Sequence, residues 1–155
     1  MKAFVCPFGS AFSSEHAGGV DKFTFSYSYN TVVTDAVGTK ENWNFSKILG
    51  VSKLTSKVSL VDNKTLTQTF DANNNLIQRT DEAGRTATYT YNATNQRLSM
   101  TEALWTAQAR TTTYQYLSPT LDLPTVIESP SVAGGSTKKR TTLSYTDTRF
   151  PTLPT

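Results

Sequence analysis

Cysteine and histidine each occur once, as Cys6 and His16, in a chain of 155 residues. A single thiol excludes an intrachain disulfide and any cysteine-based metal cluster. The two residues sit in a Gly-, Ser- and Ala-rich stretch, where an idle small thiol and a surface imidazole are the expected state. No apolar run approaches the roughly 20 residues of a membrane helix, so no membrane insertion is expected. "MKAFVCPFGSAF" is short in its apolar part and broken by Pro7, so it is not expected to act as a signal peptide. Charge of one sign is scarce too: 15 Lys and Arg stand against 12 Asp and Glu, a formal net charge of +3. The densest basic cluster, Lys138-Lys139-Arg140, reads as a solvated face, and nucleic acid is not an expected partner. Gly-x-Ser-x-Gly elbows, phosphate loops and metal-spaced clusters are missing as well, and Gly134-Gly135 is a loop rather than a nucleotide fingerprint. The chain is therefore read as non-enzymatic, with no catalytic residues, no metal and no cofactor.

What is present has a period of two. From Lys22 onward Thr, Ser, Asn, Tyr and Phe dominate, and these favour strands and turns. No stretch sustains the i, i+3, i+4, i+7 apolar pattern of a helix. In "RTATYTYN" Ala87, Tyr89 and Tyr91 alternate with Thr86, Thr88 and Thr90; "RTTTYQYL" alternates Thr112, Tyr114 and Tyr116 with Thr111, Thr113 and Gln115. Such segments predict half-buried strands with aromatics inward and hydroxyls outward. Residues 1–21 form an expected irregular leader, and 22–155 a β-sheet segment.

The strands recur. Their last aromatics fall at Phe45, Phe70, Tyr91, Tyr116 and Tyr145, between about 20 and 30 residues apart, the mark of a repeat array whose insertions map to turns. After each aromatic comes a turn-former, Asp71 after Phe70 and Asn92 after Tyr91, with "ANNN" and "ATNQ" supplying Asx side chains for a hairpin loop. The return strand ends at Thr80-Asp81, and Gly84 follows three residues later; Asp35 and Gly38 keep the same offset. Asp followed by Gly at this spacing suits a type I turn with a bulge in which Gly takes positive φ. Carboxylates recur at Asp35, Asp81 and Glu102 because the corners recur, which is a structural role. One hairpin cannot bury its own aromatic face, but stacked neighbours can. The expected architecture is all-β: antiparallel β-hairpin repeats forming a curved sheet or partial shell with unprotected edges at both ends.

The stretch "FDANNNLIQRTDEAGRTATYTYN" resembles the tyrosine–aspartate (YD) repeat of RHS proteins. Phe70-Asp71 and Tyr91-Asn92 fill the positions that name the motif, and Asn75-Leu76, Thr80-Asp81, Gly84 and Tyr89 fill the others. The likeness is specific over 70–102, good over 31–46 and degenerate over 47–69 and 103–155. No copy keeps Tyr directly followed by Asp, Ser46 replaces the Asp after Phe45, and Trp105 stands where Gly belongs. The resemblance implies a wall segment of a large β-shell that encloses a toxin or other polypeptide. It also implies a secreted or cell-surface setting within a longer protein. Implied partners are the remaining repeats of that shell, or another copy of the chain, joined through open β edges.

Under this reading the structural aromatic anchors are Trp43, Phe45, Phe70, Tyr89, Tyr91, Tyr114, Tyr116 and Tyr145, and the turn residues are Asp35, Gly38, Asp71, Asp81 and Gly84. A carbohydrate- or cell-surface-binding β module is the rival, because Trp43, Trp105 and the Tyr-x-Tyr pairs are able to stack on sugar rings. Trp105, at a turn position, is the candidate ligand contact. Lys40 and Lys138–Arg140 are expected to guard strands against unwanted edge pairing.

Overall fold

The structure, a computed structural model, describes residues 2–5, 11–16, 20–27, 31–131, 137–149 and 151–154. These residues hold thirteen strands and no helix. The chain divides into two compact units, Met1–Thr69 with Thr80–Gly84, and Phe70–Arg79 with Arg85–Thr155.

In the first unit β1 (Lys2–Val5), β2 (Ala11–His16), β3 (Val20–Tyr27), β4 (Thr31–Thr34), β5 (Lys40–Ile48), β6 (Val51–Ser59) and β7 (Thr65–Phe70) pair in chain order, each antiparallel to the next. In the second, β8 (Leu76–Thr80), β9 (Thr86–Tyr91), β10 (Arg97–Glu102), β11 (Arg110–Ser118), β12 (Leu121–Pro130) and β13 (Lys138–Thr142) follow the same rule. Within each unit, among the described residues, strands that pair are neighbours in sequence. Thr, Val, Tyr and Phe suit a pleated surface, and short corners fix each register.

Strands also run through the segment expected to be irregular, because β1, β2 and the start of β3 lie in it. Gly, Ser and Ala are weak strand formers, but ladder hydrogen bonds, of β1 to β2 and of β2 to both β1 and β3, satisfy backbone groups and override that weakness. Cys6 and Gly134-Gly135 lie outside the described residues.

Burial is shallow. Among the described residues Val33, Leu66 and Val126 are the buried apolar ones, at 4%, 6% and 7% exposure, and no large side chain is fully buried. Within each unit the contacts that shield side chains come from cross-strand neighbours.

Candidate functional site

The chain uses one five-residue corner repeatedly. At 35–39 the Asp35 carboxylate accepts from the Val37 and Thr39 amides at 3.0 and 2.8 Å, while Asp35 N–H bonds Thr39 O and Gly38 N–H bonds Asp35 O. At 71–75 the Asp71 carboxylate accepts from the Asn73 and Asn75 amides at 2.9 and 2.8 Å. At 92–96 the Asn92 carbonyl oxygen accepts from the Thr94 and Gln96 amides at 3.0 and 2.9 Å. Asp81 holds the Ala83 amide at 3.0 Å and closes onto Gly84 N–H through its backbone carbonyl at 2.9 Å. The fourth residue of each corner has positive φ: Gly38 at 88°, Asn74 at 69°, Gly84 at 77° and Asn95 at 66°. This is the three-residue hairpin loop with a left-handed bulge residue. The "ANNN" and "ATNQ" loops and the Asp-x-x-Gly loops are thus the same corner, with Asn able to replace Gly because its short amide tolerates the left-handed region.

Tyrosine hydroxyls tie β9, β11 and the segment after β13 to the return strand before each. Tyr91 Oη donates to Leu76 O at 2.9 Å, Tyr116 Oη to Arg97 O at 2.8 Å, and Tyr145 Oη to Pro124 O at 2.9 Å. Each acceptor lies at or near the start of the preceding return strand, so one geometry is used three times. Partial burial raises the Tyr91 and Tyr116 phenols above their ordinary range, as befits neutral donors. Between these ties the Arg97 guanidinium stacks over the Tyr114 ring, 4.6 Å from its centroid.

The last residue of a corner reaches the next corner. Asn75 Nδ2 donates to Asp71 Oδ2 at 2.9 Å and to Asn95 Oδ1, twenty residues on, at 2.8 Å. Gln96 Nε2 donates to Ser118 O and Leu121 O at 2.8 and 2.7 Å. Gln96 is 5% exposed, one of the few buried polar side chains, and it satisfies two carbonyls of the following hairpin. The Asn75 amide also draws the exposed Asp71 carboxyl below the ordinary carboxylate range.

In the first unit Lys57 Nζ lies 2.9 Å from Glu82 Oε1 and 3.2 Å from Glu41 Oε1. Trp43 Nε1 donates to the other Glu41 oxygen at 2.8 Å. Glu82, foremost, holds the Lys57 ammonium above its ordinary range against the opposing cost of burial.

The expected anchors thus divide. Tyr91, Tyr116 and Tyr145 make the hydroxyl ties, while Tyr114 carries the cation contact. Tyr89 faces Met100 across β9 and β10, and Phe70 ends β7 half-buried without a hydroxyl to donate. Trp43 is half-buried against Glu41 and stands tilted to Phe45, ring centroids 6.4 Å apart. Phe45 is 48% exposed and is not an inward anchor. The β-bulge opposite Asn44 and Phe45 inserts Thr55 on β6 and leaves β5 continuous, so Phe45 shares the side of Trp43 but is less covered there. Thr86 departs in the other sense: it is buried, where its row was expected outward, because the loop after Glu102 returns to donate Leu104 N–H to Thr86 O at 3.0 Å. Elsewhere the hydroxyl face is as its period implies, with Thr90 bonded to Ser99 at 2.7 Å and Thr101 to Thr111 at 2.9 Å. Trp105 lies in that same loop, 80% exposed with φ of 62°.

The sequence places Asn75 and Gln96 in hairpin loops, but their reach to the following corner, and the Lys57 cluster, escaped sequence reasoning. Their signal is the shared fifth position of two aligned corners; Lys57 and Glu82 offer none. Among the described residues no three His, Cys, Asp or Glu side chains group as metal ligands, and no helix is long and apolar enough to cross a membrane.

Residues 70–104 match the family model described as RHS Repeat. The match begins at the Phe70-Asp71 corner and ends in the loop holding Trp105's neighbour Leu104. No curated protein matches the chain. Among solved structures it is similar to a chain of "Crystal Structure of TcdB2-TccC3-Cdc42", at 14% identity and a TM-score of 0.49, over 94% of this chain and 10% of that one. The chain spans about a tenth of that neighbour's length.

Proposed function

We propose that this chain is a non-catalytic wall segment of an RHS-type β-shell, with its tyrosine face turned toward an enclosed polypeptide such as a toxin. One observation carries the reading: the chemistry-bearing side chains that recur are spent on closing corners and tying strand to strand. Tyr91, Tyr116 and Tyr145 bond backbone carbonyls, Asp35, Asp71 and Asn92 bond corner amides, and Gln96 bonds the following hairpin. Groups so occupied hold a wall; they are not free to activate a substrate. The RHS repeat over 70–104 supports a structural repeat role. Such a segment works inside a longer secreted or surface protein, continued at its edges by further repeats.

The test places a photo-crosslinking amino acid at Tyr114 in one sample and at Thr113, the next residue on the opposite face, in another, within the protein as its source makes it. The wall reading expects cross-links to a polypeptide from position 114 and not from 113. Equal capture from both faces overturns it. The rival reading, a carbohydrate module, is favoured by one observation, the 80% exposed Trp105. Glycan binding that disappears in Trp105→Ala would establish that rival.

A further inference from the structure

The three tyrosine ties of the second unit end on equivalent positions whose side chains differ. The hydroxyls bond the backbone carbonyls of Leu76, Arg97 and Pro124. A backbone acceptor asks nothing of the side chain it belongs to, so leucine or proline serves there. Arg97 brings a cation that the tie does not use.

A bulge aims that cation. Arg97 stands opposite Tyr91 and Ser99 opposite Thr90, so β10 carries Leu98 as an extra residue. Strict alternation would put Arg97 with Ser99 and Thr101 on the hydroxyl face. The extra residue turns it to the face of Tyr91 instead, where its guanidinium lies 4.6 Å from the centre of the Tyr114 ring. No carboxylate among the described residues pairs with it. Asp71, in the neighbouring corner, spends its carboxylate on Asn73 and Asn75. Asp122 is near enough to act on the Tyr116 phenol but forms no ion pair with Arg97. Arg97 Nε is buried without a hydrogen-bond partner, while the Nη groups, which also meet no acceptor, are not buried. A guanidinium half withdrawn from water without an anion is costly, and the ring beneath it compensates only in part. β10 is an interior strand, paired by β9 on one side and β11 on the other, so no sheet edge bears on this site.

We infer that Arg97 is the point at which the tyrosine face holds its polypeptide, the Nη groups receiving the side-chain carboxylate of an Asp or Glu. This rests on the wall reading, which sets a polypeptide against that face, and it adds the chemistry of the contact. The Tyr114 ring holds the guanidinium in place, so its planar fork is ready for the two oxygens of a carboxylate. Tyr89 and Met100, opposed on the same face, offer apolar surface to the residues beside that acid. The arginine is therefore more than a prop for the ring: its charge is left for a partner to neutralise.

The test reads the Arg97 Nε–H signal in a proton–nitrogen correlation spectrum of the full chain. The probes are the peptide acetyl-Ser-Leu-Glu-Leu-Ser-amide, the same peptide with Gln for Glu, and inorganic phosphate. The Glu peptide should move the Arg97 signal and bind at least about threefold more tightly than the Gln peptide. In Arg97→Leu, which copies Leu76 and leaves the Tyr116 tie its backbone acceptor, the two peptides should bind alike. Equal shifts from both peptides, a Glu preference that survives in Arg97→Leu, or no shift at millimolar peptide overturns the inference. So does phosphate moving the signal as far as the Glu peptide does, since the site would then take any anion. The first and third outcomes are read on the unaltered chain and need no variant to fold. If the Glu preference is absent while cross-linking stays confined to position 114, the wall reading stands and this inference alone fails. Capture from both faces removes the wall reading whatever Arg97 binds.

Discussion

Replacing Tyr91 with Phe removes one oxygen and nothing else, and it tests whether the hydroxyl ties hold the repeats together. The hydroxyl donates to Leu76 O at 2.9 Å from a half-buried ring. A net protein hydrogen bond contributes about 0.5–1.5 kcal/mol, and an acceptor left short of a partner moves the value to the upper part of that range. The expected loss is about 1 kcal/mol, or a fall of about 2–4 °C in Tm for a chain of this size. Tyr91→Ala should cost more, about 2–3 kcal/mol, below the 3–5 of a fully buried aromatic because the ring is partly exposed. Urea denaturation followed by far-ultraviolet dichroism reads both. Alkaline pH gives an independent check. Burial raises the folded phenol, so its stabilisation is complete below the unfolded value near 10 and declines as pH rises through the folded value. Tyr91→Phe should flatten that alkaline decline. An unchanged midpoint, with the alkaline limb also unchanged, would refute the role assigned to the tie.

Other outcomes follow from the corners and the ion cluster. A Cβ built at Gly84 meets nothing within 4 Å, and the same corner position holds Asn74 and Asn95 elsewhere. Gly84→Asn should therefore lower stability by only a few tenths of a kcal/mol, whereas Gly84→Val, β-branched at φ of 77°, should cost about 1–2 kcal/mol; thermal melts separate the two. Asp71 is held below the ordinary carboxylate range, so its contribution is present above about pH 4 and lost as pH falls through its lowered folded value. Asp71→Asn, which copies Asn92, should flatten the acid limb of a stability–pH profile while keeping the corner. Lys57→Met should cost no more than about 1 kcal/mol, since all three members of the Glu41–Lys57–Glu82 cluster are partly exposed, and the loss should shrink in high salt.

Much of the fold is legible in local pattern. Alternation of Tyr and Thr in 86–91 and 111–116 marks strands, and Asp followed at fixed distance by Gly marks corners, because both depend on backbone geometry set within a few residues. Phe45 shows where alternation stops being informative: it names a residue's side of the strand, whereas how far that side is covered depends on the neighbouring strands. The leader shows the same limit, since weak strand formers become strands when neighbours offer a ladder. The targets of the tyrosine hydroxyls, 15 to 21 residues upstream, depend on register across the sheet. Gln96 is the clearest case. It looks like one more polar loop residue, yet pairing carries it to carbonyls 22 and 25 residues away. Its equivalence to Asn75 becomes visible only when the two corners are aligned by their left-handed residues.

The central claim is that links from each repeat to the next, rather than a core, hold this chain together. Residue-resolved amide exchange on Gln96→Ala, compared with the unaltered protein, tests it most directly. Loss of the Nε2 bonds to Ser118 O and Leu121 O should raise exchange in the hairpin joining β11 to β12, as well as in the corner at 92–96. Faster exchange confined to 92–96, with the 118–121 hairpin unchanged, would contradict the account.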